Sequence, residues 1–156
     1  MSSSLERVRA ALAEAGVAAE LREMPDSTRT ALDAAAACGC HLDQIAKSII
    51  FKGLDSGHVK LFLTAGGNQV DAARASALAG EPLGKADAAL IRAETGFAIG
   101  GVAPVGHLTA PPVWIDPRLL EFAQVWAAAG TPRHVFAIAP EVLERITGAV
   151  RGAFTV

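Results

Sequence analysis

The sequence predicts a mixed α+β domain. Three observations carry that prediction. Helically spaced runs and β-branched runs alternate without a regular βαβ rhythm, two apolar runs flank a tight turn as a hairpin, and a late segment dense in glycine and proline interrupts both patterns. At 156 residues the chain is long enough to bury one core and too short to divide comfortably into two. A single domain over residues 1–156 is expected.

Leu5, Val8, Ala11, Leu12 and Ala15 recur at helical spacing with charges between them, and Gly16 follows where a left-handed cap ends a helix, so residues 4–15 are predicted helical. Residues 18–24 read as a strand. Ser27 and Thr28 offer caps to an alanine-rich helix over 31–38, ended by Gly39. Residues 45–51 are β-branched and apolar, and 59–64 repeat the pattern beyond a turn of Asp55, Ser56 and Gly57, which makes the clearest hairpin in the chain. Short helices over 68–78 and 87–94 follow, with Asn68 and Asp87 as candidate caps and Gly80 and Gly96 just past their ends. The segment 95–112 contains TGFAIGGVAPVGH, cannot sustain a long regular element, and is read as a shaped loop. Residues 113–115, 124–128 and 135–138 are plausible strands, and Pro140 in a first turn opens a last helix to about residue 146.

Composition narrows the classes of function. With 51% hydrophobic and 19% charged residues the chain can offset its entropy by burial, which excludes wholesale disorder. The apolar runs at 34–37 and 125–129 fall far short of the roughly 20 residues that cross a bilayer, so no membrane partner is expected. The N-terminus has no basic start and Glu6 and Glu14 interrupt it, unlike a secretory signal, and cytoplasmic residence is expected. Cys38 and Cys40 are one residue apart, badly placed for a structural disulfide, which fits a reducing compartment. A net charge of −2 makes the molecule no general sink for nucleic acid. No DNA partner is expected, and any RNA contact must be a local patch or a grip on a strand end.

Lys47, in QIAKSIIF, faces either solvent or an internal cavity. Alternation normally sends polar side chains outward, yet Lys47 shares its parity with Ile45, Ile49 and Phe51. An inward ammonium needs a polar or anionic partner, such as a ligand phosphate or ribose. Gly100, Gly101, Val102, Ala103, Pro104, Val105 and Gly106 form a loop in which backbone amides can approach a ligand and bind a carbonyl oxygen that gains charge; the plain alternative is a tightly packed turn. His107 and His134 are candidate general bases or ordinary hydrogen-bonding residues. Cys38, Cys40 and His41 do not match zinc spacing, so no metal and no cofactor is expected, and an alanine-rich setting buries a Cys38 thiol rather than ionising it. Asp71, Arg74, Asp87, Arg92 and Glu94 read as solvated helix faces, and Trp114 and Trp126 as core or pocket wall.

Taken together, STRTALDAAAACG, QIAKSIIF, AGGNQVD, TGFAIGGVAPVGH and AAGTPRHVFAIAPEVL resemble, in order and spacing, the YbaK/prolyl-tRNA synthetase-associated domain family, from about Ser27 to the C-terminus. At this length the chain looks like the free-standing members, which hydrolyse mischarged prolyl-tRNA in trans. The resemblance implies a barrel-like mixed sheet flanked by helices, with a pocket between them. It implies that Lys47 holds the 3′ end of the acylated tRNA and that Gly100 to Pro104 is the family's GxxxP loop, whose amides position the aminoacyl ester. It further implies a place for His134 near the terminal adenosine. Two departures stand out: the stretch from Ala128 to Val135 lacks the serine and carboxylate of members resembling the cysteine-specific deacylases, and Ser48 stands where the alanine-editing branch has asparagine.

The expected activity is therefore hydrolysis of a mischarged aminoacyl-tRNA ester, with Lys47, Gly100 and Gly101 as its chemical core and Ile50, Val102, Ala103, Pro104 and His134 binding substrate. Gly101, Val102 and Ile50 suggest a small aliphatic side chain such as that of alanine or 2-aminobutyrate. Mischarged tRNA and a prolyl-tRNA synthetase are the expected partners. A non-catalytic module that holds a tRNA end or an amino acid, and a generic esterase, are the alternatives.

Overall fold

The computed structural model describes residues 3–25 and 30–156. Helix α1 (Ser3–Glu14) buries Leu5, Val8 and Leu12, the stripe its spacing dictates. Strand β1 (Glu20–Glu23) follows. Helix α2 (Ala31–Cys38) opens on a capping box: the Asp33 amide donates to Thr30 Oγ1 at 3.1 Å and the Thr30 amide to the Asp33 carboxylate at 3.3 Å. Ser27 and Thr28, the caps expected from sequence, lie outside the described residues. Gly39, left-handed at φ 68°, ends this helix.

Strands β2 (Ile45–Gly53) and β3 (Val59–Ala65) form the expected antiparallel hairpin, with Lys47 opposite Thr64. Helix α3 (Ala72–Ala79) is capped by Asp71, whose carboxylate accepts from the Ala73 and Arg74 amides. Asn68 is therefore not its cap: the Asn68 amide closes a turn on the Ala65 carbonyl at 2.9 Å, which holds that residue in the exit from β3. Strand β4 (Leu83–Lys85) and helix α4 (Ala88–Thr95), capped by Asp87, come next. After the long loop come β5 (Val113–Ile115), β6 (Val125–Ala128), β7 (His134–Ile138), α5 (Pro140–Thr147) and β8 (Val150–Arg151). Short 3-10 helices at Leu42–Gln44 and Pro117–Glu121 join these elements.

The result is an α+β fold around one mixed, eight-stranded sheet in the order β1-β7-β6-β2-β3-β5-β8, with β4 also paired to β2. The pairs β2–β6, β3–β5 and β5–β8 are parallel and the others antiparallel. The sheet does not close, since β1 and β8 are its two ends. One face, with Ala46, Leu63, Ala127 and Phe136, packs on α1, Ile91 of α4 and Leu143 of α5. The other carries Ile45 and Trp126 against α2, and Phe62 against Ala75 of α3 and Phe154.

One irregularity positions the site. With β3 along one edge of β2, both β6 and β4 must share the other, and they pair only with residues 45–46 and 51–53. Residues 47–50 have no strand partner on that edge among the described residues. The sheet is split there.

Candidate functional site

A cleft of about 810 Å³ opens at the split in the sheet. Because successive side chains of a strand point to opposite faces, β2 supplies Ala46, Ser48 and Ile50 to one side of the cleft and Ile45, Lys47 and Ile49 to the other. Helix α2, β6, the turn 131–133 and the start of β7 wall one flank, and Ile99, Gly100 and Val102 of the long loop another. Of the residues expected from sequence, Lys47, Ile50, Gly100, Val102 and His134 line the cleft. Gly101, Ala103 and Pro104 do not.

Each of those three has a structural reason to be elsewhere. The Gly101 amide is engaged, donating to the Ala98 carbonyl at 3.0 Å. A Cβ on Gly101 would lie 2.7 Å from the carbonyl carbon of Thr131, so glycine is required for backbone to pass backbone here. Ala103 is fully buried, and Pro104 lines a smaller recess of about 220 Å³ beside α1, together with His107. The amides of Gly100 and Val102 have no acceptor among the described residues. Both residues line the cleft.

Lys47 is half-buried, and its Nζ donates to the Asn68 carbonyl at 2.7 Å. The polar partner that an inward lysine requires is thus supplied by the chain itself. Burial pushes the Lys47 ammonium below its ordinary value, while the carboxylates of Asp116 and Asp43 resist that fall. Asp116 also builds the support: its Oδ2 accepts from the Ala65 amide at 3.1 Å and from Asn68 Nδ2 at 2.9 Å, and its Oδ1 accepts from the Arg118 amide at 3.0 Å. Asp43 accepts from the Gly67 amide at 2.8 Å and from Arg118 Nε at 2.9 Å. Sequence reading missed Asn68 and Asp116 as parts of this site. The one local signal was Asp116 before Pro117, a start signature for the 3-10 helix that it caps.

His134 Nδ1 and Thr131 Oγ1 share a hydrogen bond of 2.7 Å, and His134 Nε2 lies 3.8 Å from the Glu23 carboxylate. His107 sits away from the cleft, with its Nε2 donating to the Ala103 carbonyl at 2.7 Å, and burial pushes its pKa down. Trp126 is buried in the cleft wall with the Arg22 guanidinium 4.6 Å above its ring, whereas Trp114 stacks on Phe62 at 4.8 Å in the core. Burial, with Cys40 beside it, pushes the Cys38 thiol up to about 11, so it stays protonated. His41 spends its Nδ1 accepting from the Asp43 amide. Among the described residues no cluster of three or more His, Cys, Asp or Glu side chains is placed to hold a metal ion.

A half-buried lysine and two loop residues whose amides have no acceptor among the described residues, all lining one cleft, suit an anionic or ester-bearing chain end. Residues 25–146 match the aminoacyl-tRNA editing domain family. The chain belongs to that family.

Two solved structures are close to it in shape. A solved structure described as a candidate trans-editing enzyme for prolyl-tRNA synthetase is 44% identical, with a TM-score of 0.93 over 100% of this chain and 99% of that one. A solved hypothetical protein is 27% identical, with a TM-score of 0.87 over 96% of this chain and 99% of its own. YwhH, an uncharacterised protein of Bacillus subtilis (strain 168), is 28% identical over 144 residues, 92% of this chain and 91% of that protein. Among the described residues of this editing domain, no helix is long and apolar enough to cross a membrane.

Proposed function

We propose that this editing domain is a deacylase that hydrolyses mischarged tRNA in trans, with prolyl-tRNA carrying a small non-cognate amino acid as its substrate and residues 1–156 acting as one unit in the cytoplasm. The observation that carries the proposal is the cleft itself: Lys47, Gly100 and Val102 line one cavity, where β2 lacks a neighbour on one edge. The likeness to a candidate trans-editing enzyme for prolyl-tRNA synthetase supports the choice of tRNA.

In this mechanism Lys47 holds the terminal nucleotide. An ammonium has three N–H donors; one goes to Asn68, and two remain for phosphate or ribose oxygens. The Gly100 and Val102 amides receive the ester oxygen as it gains charge, and losing one such donor typically costs about 3 to 4 kcal/mol of transition-state stabilisation. Gly101, Ala103 and Pro104 act indirectly, by fixing the loop. Water adds to the ester carbonyl carbon, the bond to the ribose oxygen breaks, and that oxygen leaves as a hydroxyl with the proton that water gives up. The products are a free amino acid and uncharged tRNA. Among the described residues no carboxylate lines the cleft, and in this reading His134, which does line it, meets the terminal adenosine. Positioning and electrostatics therefore carry an already activated ester.

The test is a deacylation panel of prolyl-tRNA charged with alanine, cysteine, serine, threonine or 2-aminobutyrate. At least one ester is hydrolysed, and Lys47→Ala slows that reaction about ten- to a hundredfold, the value of a charge-assisted hydrogen bond. An unchanged rate in Lys47→Ala rejects the role, and binding without turnover identifies a module instead.

A further inference from the structure

Ser48 lies in the middle of the unpaired stretch of β2 and lines the cleft. Its Oγ is buried without a hydrogen-bond partner, and among the described residues it is the one side-chain oxygen or nitrogen in that state. A buried hydroxyl left unpaired costs about 1 to 3 kcal/mol, so an orphan of this kind calls for an explanation. Nothing around it within the protein supplies one. By alternation Ser48 shares its side of the strand with Ala46 and Ile50, and Ile91, Ile99 and Val102 are further apolar residues of the cleft lining. On that side of the strand, one lobe of the cleft, the hydroxyl is thus flanked by the apolar side chains of Ala46 and Ile50. A single rotation about χ1 moves a serine Oγ between its staggered positions, so the group can meet an incoming partner at little cost.

We infer that Ser48 selects the substrate's side chain, and that the cleft takes an aminoacyl ester bearing a hydroxyl or thiol on its β-carbon, which pairs with Ser48 Oγ. A lobe built only for an aliphatic group would have no use for a sequestered hydroxyl. A site that hydrogen-bonds a substrate hydroxyl discriminates against the isostere that lacks it, because the protein group is then left unpaired. This inference rests on the deacylase proposal, and it replaces the aliphatic preference expected from Ile50 and Val102 with a polar one.

The experiment compares serine with 2-aminobutyrate, in which a methyl group replaces the hydroxyl. Deacylation of the two tRNA esters is measured as kcat/KM for wild type and Ser48→Ala. Binding of the corresponding non-hydrolysable 3′-aminoacylamino adenosines is measured alongside. Wild type is expected to favour the seryl ester by about twofold to tenfold, the range of one neutral hydrogen bond, and the seryl analogue by a similar factor. In Ser48→Ala both ratios fall to about one or below, while the melting temperature holds or rises because an unpaired hydroxyl has been removed. If wild type turns over both esters with no seryl preference, or if Ser48→Ala keeps the preference, the role of Ser48 is overturned and the deacylase stands. If neither ester is turned over but the analogues bind with a Ser48-dependent preference, the recognition role survives, and the deacylase falls only when the alanyl, cysteinyl and threonyl esters are left intact as well. Analogue binding with no such preference overturns the recognition role as well.

Discussion

Lys47 shows how far parity in a strand can be taken. Its place beside Ile45, Ile49 and Phe51 pointed away from solvent, and the side chain is indeed half-buried. What parity could not supply was the partner, because the Asn68 carbonyl reaches Lys47 only after β3 has turned the chain back, 21 residues on. Asp116 is more distant still, and it is 3% exposed. Replacing it with alanine strips the Ala65 amide and the Asn68 side chain of their acceptor together. Asp116→Ala is expected to lose about 1 to 3 kcal/mol of stability for an unpaired buried donor, and to raise KM for the tRNA ester by loosening the support of Lys47. Urea denaturation and steady-state deacylation would measure both, and a variant with wild-type stability and KM would remove Asp116 from the site. Gly101 is the converse case. A glycine between Gly100 and Val102 invited an oxyanion role, but its amide is spent on Ala98 and its missing Cβ serves the passage of Thr131.

Among the elements, the helices and the hairpin were legible because their signals are local. Asp87 and the left-handed glycines 39, 80 and 96 mark helix ends through chain-neighbour chemistry alone, whereas sequence reading passed over the caps at Thr30 with Asp33 and at Asp71 for Ser27, Thr28 and Asn68. Strands β4 and β8 were not legible: three and two residues long, they exist through pairing with β2 and β5, not through any pattern of their own. The β2–β3 hairpin carries a titratable lock. Glu81 accepts from the Ser56 and Asp55 amides at 2.9 and 3.0 Å and pairs with Lys60 at 3.3 Å. The Ser56 amide foremost, aided by the Asp55 amide and Lys60, holds this carboxyl at about 2, against an ordinary 4.5. The unfolded chain therefore takes up a proton at a higher pH than the folded one. The stability that Glu81 confers is present above pH 4.5 and is lost as pH falls from 4.5 toward about 2. Melting temperatures taken across that window should fall less steeply in Glu81→Gln than in wild type, and parallel curves would show that the lock does not hold.

Across the whole molecule, the cleft depends on a helix that lies before the residues matching the editing-domain family. Arg7 of α1 donates from Nε to the Gly106 carbonyl at 2.9 Å and from Nη2 to the Thr95 carbonyl at 3.4 Å, and its guanidinium sits 4.5 Å over the Phe97 ring. Both ends of the glycine loop are thereby tied to one side chain. Arg7→Ala should cost about 2 kcal/mol of stability from the lost charged hydrogen bond and cation–π contact. It should also speed amide exchange over residues 96–107 and slow deacylation, since the amides of Gly100 and Val102 would no longer be held. Hydrogen exchange that leaves the loop as protected as in wild type would show that α1 only packs there.

The sequence by itself determined the mixed α+β class, the helices, the hairpin, and the ordered motifs by which the family could be named. All of these are set by residues a few positions apart or by their linear order. Only the tertiary structure decided where the sheet splits, which loop amides remain unpaired, what holds Lys47, and that Ser48 is left without a partner. Those are properties of groups brought together across 20 to 100 residues of chain, where pairing, burial and hydrogen-bond exhaustion depend on the folded neighbours and leave no periodic trace in the sequence.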